Sequence, residues 1–110
     1  MPRHFLRIAI VAAAAFLAMA VMPSASRAQT DTAKSFKTSC ALCHAPDGSG
    51  NSSAGKALGA KDLRSQEVKA KSDSDLTLTI TKGKGKMPAF GGKLKPDEIK
   101  QMIAYIRGLA

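Results

Sequence analysis

Cys40-Ala41-Leu42-Cys43-His44 is the stretch that decides how this chain folds. Two cysteines separated by two residues and followed at once by histidine form the attachment pattern of c-type haem. Each thiol closes a thioether to one vinyl group of a single macrocycle, and the histidine is placed to ligate the iron beneath it. Other uses of two close thiols fit less well. A thioredoxin-like dithiol sits in a βαβ surround that this sequence does not show. A structural zinc site needs four ligands, where the chain offers two Cys and one adjacent His. A disulfide between thiols this close would have to close a very tight loop, so haem is the better use of the pair.

Outward toward the N-terminus, Arg3 and Arg7 precede an apolar run from Ile8 to Val21, then Pro23, Ser24 and the small-x-small segment Ser26-Arg27-Ala28. That order reads as a cleavable secretory signal over residues 1–28, cut after Ala28. The apolar run is shorter than the roughly 20 residues that span a bilayer, so no permanent membrane anchor is expected. The location implied is the periplasm, or the thylakoid lumen in a photosynthetic host.

Residues 29–110 are then one small domain. Its aromatic content is Phe36, Phe90 and Tyr105, with no Trp. A chain of this size has difficulty burying enough apolar surface unaided. A covalently held haem would complete the core, and the chain without it is expected to be largely unfolded.

The remaining pattern is all-α: three to five short helices wrapped around one haem. A first helix is predicted from about Thr30 to Cys40, with Ala33, Phe36 and Cys40 on one face. Pro46 to Gly59, rich in Gly, Asn and Ser, reads as an irregular loop, and a short helix is predicted around Ser65 to Ala70. Leu76-Thr77-Leu78-Thr79-Ile80-Thr81 alternates as a half-buried strand would. Ser72 as a cap and Gly83 as a stop, with no second strand available for pairing, turn the reading to a helix from about Asp73 to Lys82. The last helix starts at Pro96, with Asp97 and Glu98 at its positive end and Ile99, Met102, Ile103 and Ile106 at helical spacing. Leu94 can staple onto Ile99. Lys95 stands at the capping position with no side-chain acceptor to offer, so Lys95→Ser is expected to stabilise.

The sixth position on the iron sets the chemistry. His44 is the one histidine after residue 28, so a second imidazole from this domain is excluded. Two methionines remain there. Met102 lies on the apolar stripe of the last helix, where a core side chain is the simpler reading. Met87 follows Lys82-Gly83-Lys84-Gly85-Lys86 and precedes Pro88, on a loop with no periodicity to bury it. The metal ligands are therefore read as His44 and Met87, with Cys40 and Cys43 holding the cofactor. A soft thioether favours ferrous iron, and two filled axial positions leave little opening for oxygen or peroxide.

With C-A-L-C-H early and G-K-G-K-M-P-A-F-G-G-K-L late, the chain resembles the small soluble class I c-type cytochromes, the short bacterial ones and those that serve photosystem I. The resemblance spans the chain after residue 28. It implies haem c bound through Cys40 and Cys43, axial ligation by His44 and Met87, and Phe36 packing on Tyr105 where the first and last helices cross. Two departures stand out. Thr32 occupies a place that is often Gly in the family, four residues before the helix aromatic. Lys61 stands in the segment Gly59 to Leu63, where many relatives have proline, and this leaves the backbone acceptor for the second His44 nitrogen unidentified.

The chain carries 17 Lys and Arg against 8 Asp and Glu. Removing Arg3, Arg7 and Arg27 with the presequence leaves a net charge of about +6. Lys82, Lys84, Lys86, Lys93 and Lys95 gather around Met87. The plain reading is a solvated basic surface. The sharper one is a lysine ring at the haem edge that steers an acidic redox protein into a brief, salt-sensitive encounter. Nucleic acid is a poor partner, because an exported domain meets little of it and interleaved aromatics are missing. These features together predict a monomeric one-electron carrier between a membrane complex or dehydrogenase and a terminal oxidase or reaction centre. It is not an enzyme, since no acid, base or nucleophile constellation accompanies the haem ligands. The alternatives are a haem sensor or peroxidase-like protein whose Met87 dissociates, and an electron-entry subunit of a larger dehydrogenase.

Overall fold

The computed structural model describes residues 25–110. Among them are six helices, α1 (Ala25–Ser39), α2 (Ala41–His44), α3 (Ser53–Leu58), α4 (Gln66–Lys69), α5 (Asp73–Lys82) and α6 (Pro96–Arg107). No strand occurs among these residues beyond an isolated bridge between Lys84 and Met87. The architecture is thus all-α, and two of the six helices are single turns of 4 residues. Most of the expected presequence, residues 1–24, lies outside the described residues.

α1 is already helical at Ala25, the first described residue, and so runs N-terminal to the expected Thr30 through the Ser26-Arg27-Ala28 segment that reads as a cleavage motif. The second difference lies in the segment 46–59, expected to be irregular throughout. Ser52 there accepts a hydrogen bond from Gly55 N–H, and Gly59 ends α3 in the left-handed region at φ 70°. One capping serine and one terminating glycine build a helix inside a turn-rich composition.

The alternating Leu/Thr segment is helical, as the caps predicted. Ser72 Oγ accepts from Asp75 N–H at 3.0 Å, and Leu76 and Ile80, four apart, are buried while Leu78 is exposed. Thr77 and Thr79 donate their hydroxyls to the carbonyls of Asp73 and Asp75 at 2.7 and 3.0 Å. With no partner strand, the β-branched residues settle into a helix whose apolar side α6 covers.

The core gathers where α1 crosses α6. Phe36, 1 % exposed, packs against Tyr105 with ring centroids 5.1 Å apart and planes tilted by 45°. Met102 is buried beside Ile99, Ile103 and Ile106, in agreement with its place on the apolar stripe. Thr32 is buried at the crossing, its Oγ1 donating to Ala28 O at 2.8 Å and lying 3.3 Å from Gln101 Oε1. A polar clasp thus occupies the place that the resemblance reserves for glycine. At the C-terminus of α6, the Arg107 guanidinium donates to Asp73 Oδ1 and to the Lys71 carbonyl, each at 2.7 Å, and ties the start of α5 to the end of α6.

Candidate haem-attachment site

α2 carries the attachment motif, and the sequence around it fixes its position. Cys40 N–H donates to Phe36 O at 2.9 Å and His44 N–H to Cys40 O at 2.9 Å, so the motif turns off the end of α1 as a short helix. Ala41 and Ala45 are buried and Leu42 faces out, 75 % exposed. From the other side, Ser52 Oγ lies 2.6 Å from Leu42 O and 3.0 Å from Cys43 O while accepting Gly55 N–H. A side chain at Gly55 would collide with the carbonyls of Cys43 and Gly50. Ser52 and Gly55 therefore brace the motif from behind. The Ser52–Gly59 bracket was their signal in the sequence, hidden by the turn-forming composition around it.

Cys40 and Cys43 are both free and half-buried. Burial pushes the Cys40 thiol up to about 11, opposite to the depressed value that a redox-active dithiol needs. Among the described residues no three His, Cys, Asp or Glu side chains converge as a metal-binding group.

The His44 ring is oriented by one hydrogen bond. Its Nδ1 lies 2.9 Å from the Lys61 carbonyl, and a carbonyl can only accept, so Nδ1 carries the proton and Nε2 offers its lone pair. The acceptor left open by the sequence is thus a lysine's backbone, supplied by the same segment where proline is often found. In metal-binding histidines a hydrogen bond of this kind fixes the tautomer and the ring orientation.

Met87 stands on a loop closed twice. At its base Gly83 N–H donates to Thr79 O, Phe90 N–H to Ile80 O and Gly91 N–H to Thr81 O, at 2.8, 2.9 and 3.1 Å. Nearer the tip, Lys84 and Met87 exchange backbone hydrogen bonds of 3.1 and 3.0 Å. Gly83 has φ 73°, and a Cβ there would sit 2.5 Å from Met87 O; only glycine permits this return. Met87 is half-buried, and it and Cys40 pack against the same apolar cluster.

The donor set suits an iron tetrapyrrole: two unbonded thiols three residues apart, an imidazole with one nitrogen committed, and a thioether bordering the same core. A family profile described as cytochrome c oxidase, cbb3-type, subunit III matches residues 27–106. Cytochrome c6 of Anabaena variabilis is 42% identical over 78 residues, which cover 71% of this chain and 87% of that protein. The chain belongs to the c-type cytochromes. A solved c-type cytochrome, KustC0563, superposes with a TM-score of 0.63 at 32% identity, covering 71% of this cytochrome and 95% of that one. Membership makes covalent haem c, with its iron, the cofactor, and Cys40 and Cys43 are the two cysteines present to hold it. Among the described residues no helix is long and apolar enough to cross a membrane.

Proposed function

We propose that this cytochrome is a periplasmic one-electron carrier, with His44 and Met87 as axial ligands and an acidic redox protein as its docking partner. The observation that carries the reading is His44: Nδ1 is committed to Lys61 O at 2.9 Å, which offers Nε2 for ligation beside two free thiols. The bound haem supplies reversible one-electron chemistry. The chain does the rest. Cys40 and Cys43 would fix the ring, the His44 hydrogen bond would set ligand basicity, and the doubly closed loop would supply the soft sulfur of Met87. Electron transfer then needs no proton donor or nucleophile from the protein.

The charge distribution supports the docking surface. Among the described residues the ion pairs join Lys61 to Glu67, Arg64 to Asp47 and Asp62, and Arg107 to Asp73. None uses Lys82, Lys84, Lys86, Lys93 or Lys95, and all five are exposed. Unpaired lysines flanking the Met87 loop favour a transient, salt-screened encounter. Export in the manner of residues 1–28 would place the protein with such partners.

The test is the visible spectrum of the oxidised holo-protein, in which a weak far-red sulfur-to-iron band is expected and is lost in Met87→Ala. A wild type that lacks the band and binds cyanide or carbon monoxide readily would sink the carrier and point to a sensor. The family profile's description favours one second reading, a subunit held in a larger respiratory complex. Size-exclusion of native extracts separates it from the free carrier, which elutes alone.

A further inference from the structure

Proline would fix the backbone at position 61 by ring closure, but this chain has lysine there and still presents the carbonyl to His44. Its restraint has to come from elsewhere. The segment lies along the loop that follows the histidine: Leu63 N–H donates to Gly48 O at 2.8 Å and Gly50 N–H to His44 O at 2.7 Å. A Cβ on Gly50 would sit 2.7 Å from Ala60 O. The acceptor carbonyl belongs to the peptide group joining Lys61 to Asp62, so whatever holds Asp62 also aims that carbonyl. Asp62 is held by Arg64. Its Oδ1 accepts from Arg64 N–H at 2.9 Å and from Nε at 3.1 Å, and Oδ2 accepts from the guanidinium at 3.3 Å. The same guanidinium lies 3.8 Å from Asp47 Oδ2, three residues after His44, and 3.4 Å from the Ala110 carbonyl. By contrast, the Lys61–Glu67 pair is exposed on both sides and holds little.

We infer that Arg64 is a positioning residue for the axial histidine: by gripping Asp62 and leaning on Asp47, it replaces the missing proline and keeps the Lys61 carbonyl on Nδ1. The inference rests on His44 being an iron ligand. Hydrogen bonds from Arg64 keep the Asp62 carboxyl below the usual carboxylate range, so the grip is between charged groups near neutral pH. Because a firm acceptor makes the imidazole more basic and favours oxidised iron, loosening it raises the reduction potential.

The experiment uses holo-protein labelled with 15N at histidine, and reads solvent exchange of the His44 Nδ1–H and the midpoint potential. Arg64→Met is expected to speed exchange about tenfold, the factor that follows from losing about 1.4 kcal/mol of hydrogen bonding. The redox equilibrium should shift three- to tenfold toward reduced iron, or about 30–60 mV for one electron. Arg64→Lys restores part of both. Asp47→Asn moves both in the same direction by less, and serves if Arg64→Met does not yield holo-protein. Arg107→Met is the control, since it breaks an arginine ion pair, to Asp73, that takes no part in holding the Lys61–Asp62 peptide. If Arg64→Met and Asp47→Asn change exchange and potential no more than Arg107→Met does, the inference is overturned and Arg64 is a stabilising residue only. If the wild type itself shows no protected ligand imidazole N–H, His44 ligation fails first, and that result is distinct.

Discussion

Replacing Lys95 by serine tests how far the rules of helix capping govern this fold. Three other helices start on serines whose side chains accept an N–H three residues on: Ser52 from Gly55 at 2.9 Å, Ser65 from Val68 at 3.3 Å and Ser72 from Asp75 at 3.0 Å. Lys95 has the same extended backbone, φ −70° and ψ 157° against −68° and 157° at Ser72, yet provides no side-chain hydrogen bond. Half of a capping box is already in place, because Glu98 Oε2 accepts Lys95 N–H at 2.7 Å. Serine would therefore add the missing half without moving the backbone. The gain is about 1 kcal/mol, and losing a cation at the positive helix end adds to it. For a domain of this size that raises the holo-protein Tm by about 4–8 °C, read by thermal circular dichroism, while Ser72→Ala lowers it by a similar amount. The same change removes one lysine from the docking cluster, so the rate with an acidic redox partner should fall at low ionic strength and converge with wild type at high salt. A rise smaller than about 2 °C, where about 4 is expected, with Ser72→Ala behaving normally, would refute the reasoning.

Met102→Ala should cost about 2–5 kcal/mol in denaturant titrations yet leave the far-red band intact, since Met102 is a core side chain, 2 % exposed. Gly83→Ala should do the reverse, weakening the band and admitting cyanide, because its Cβ would press on the Met87 carbonyl. A chain with Cys40 and Cys43 both changed to serine should show little helix by far-UV circular dichroism, and native-like helicity would contradict the dependence of this core on haem. The Asp62 carboxyl sits below its ordinary value because of Arg64, so its contribution is present above the unfolded pKa and lost as pH falls through the folded one. The stability gap between wild type and Asp62→Asn should accordingly close below about pH 4.

The attachment motif was legible because its spacing is set by covalent chemistry, and α5 because Ser72 and Gly83 outweighed six alternating residues that otherwise read as strand. Met102 and Phe36 were legible from periodicity alone. What escaped the sequence reading was the bracing behind the motif. α3 hid in a segment whose Gly, Asn and Ser favour turns as strongly as caps, so Ser52 and Gly59 did not stand out as its ends. The partner of His44 escaped for another reason: a backbone carbonyl 17 residues away leaves no mark on residue identity, and the lysine that supplies it contributes nothing of its side chain to the bond.

The crossing of α1 with α6 also orders events in time. Thr32 meets Gln101 across 69 positions, and Phe36 reaches Tyr105, so α1 waits for α6 before that side of it is covered. Closing so long a loop carries an entropic cost. Until α6 arrives the crossing cannot form, so the attachment motif emerges ahead of the helix that completes the core beside it.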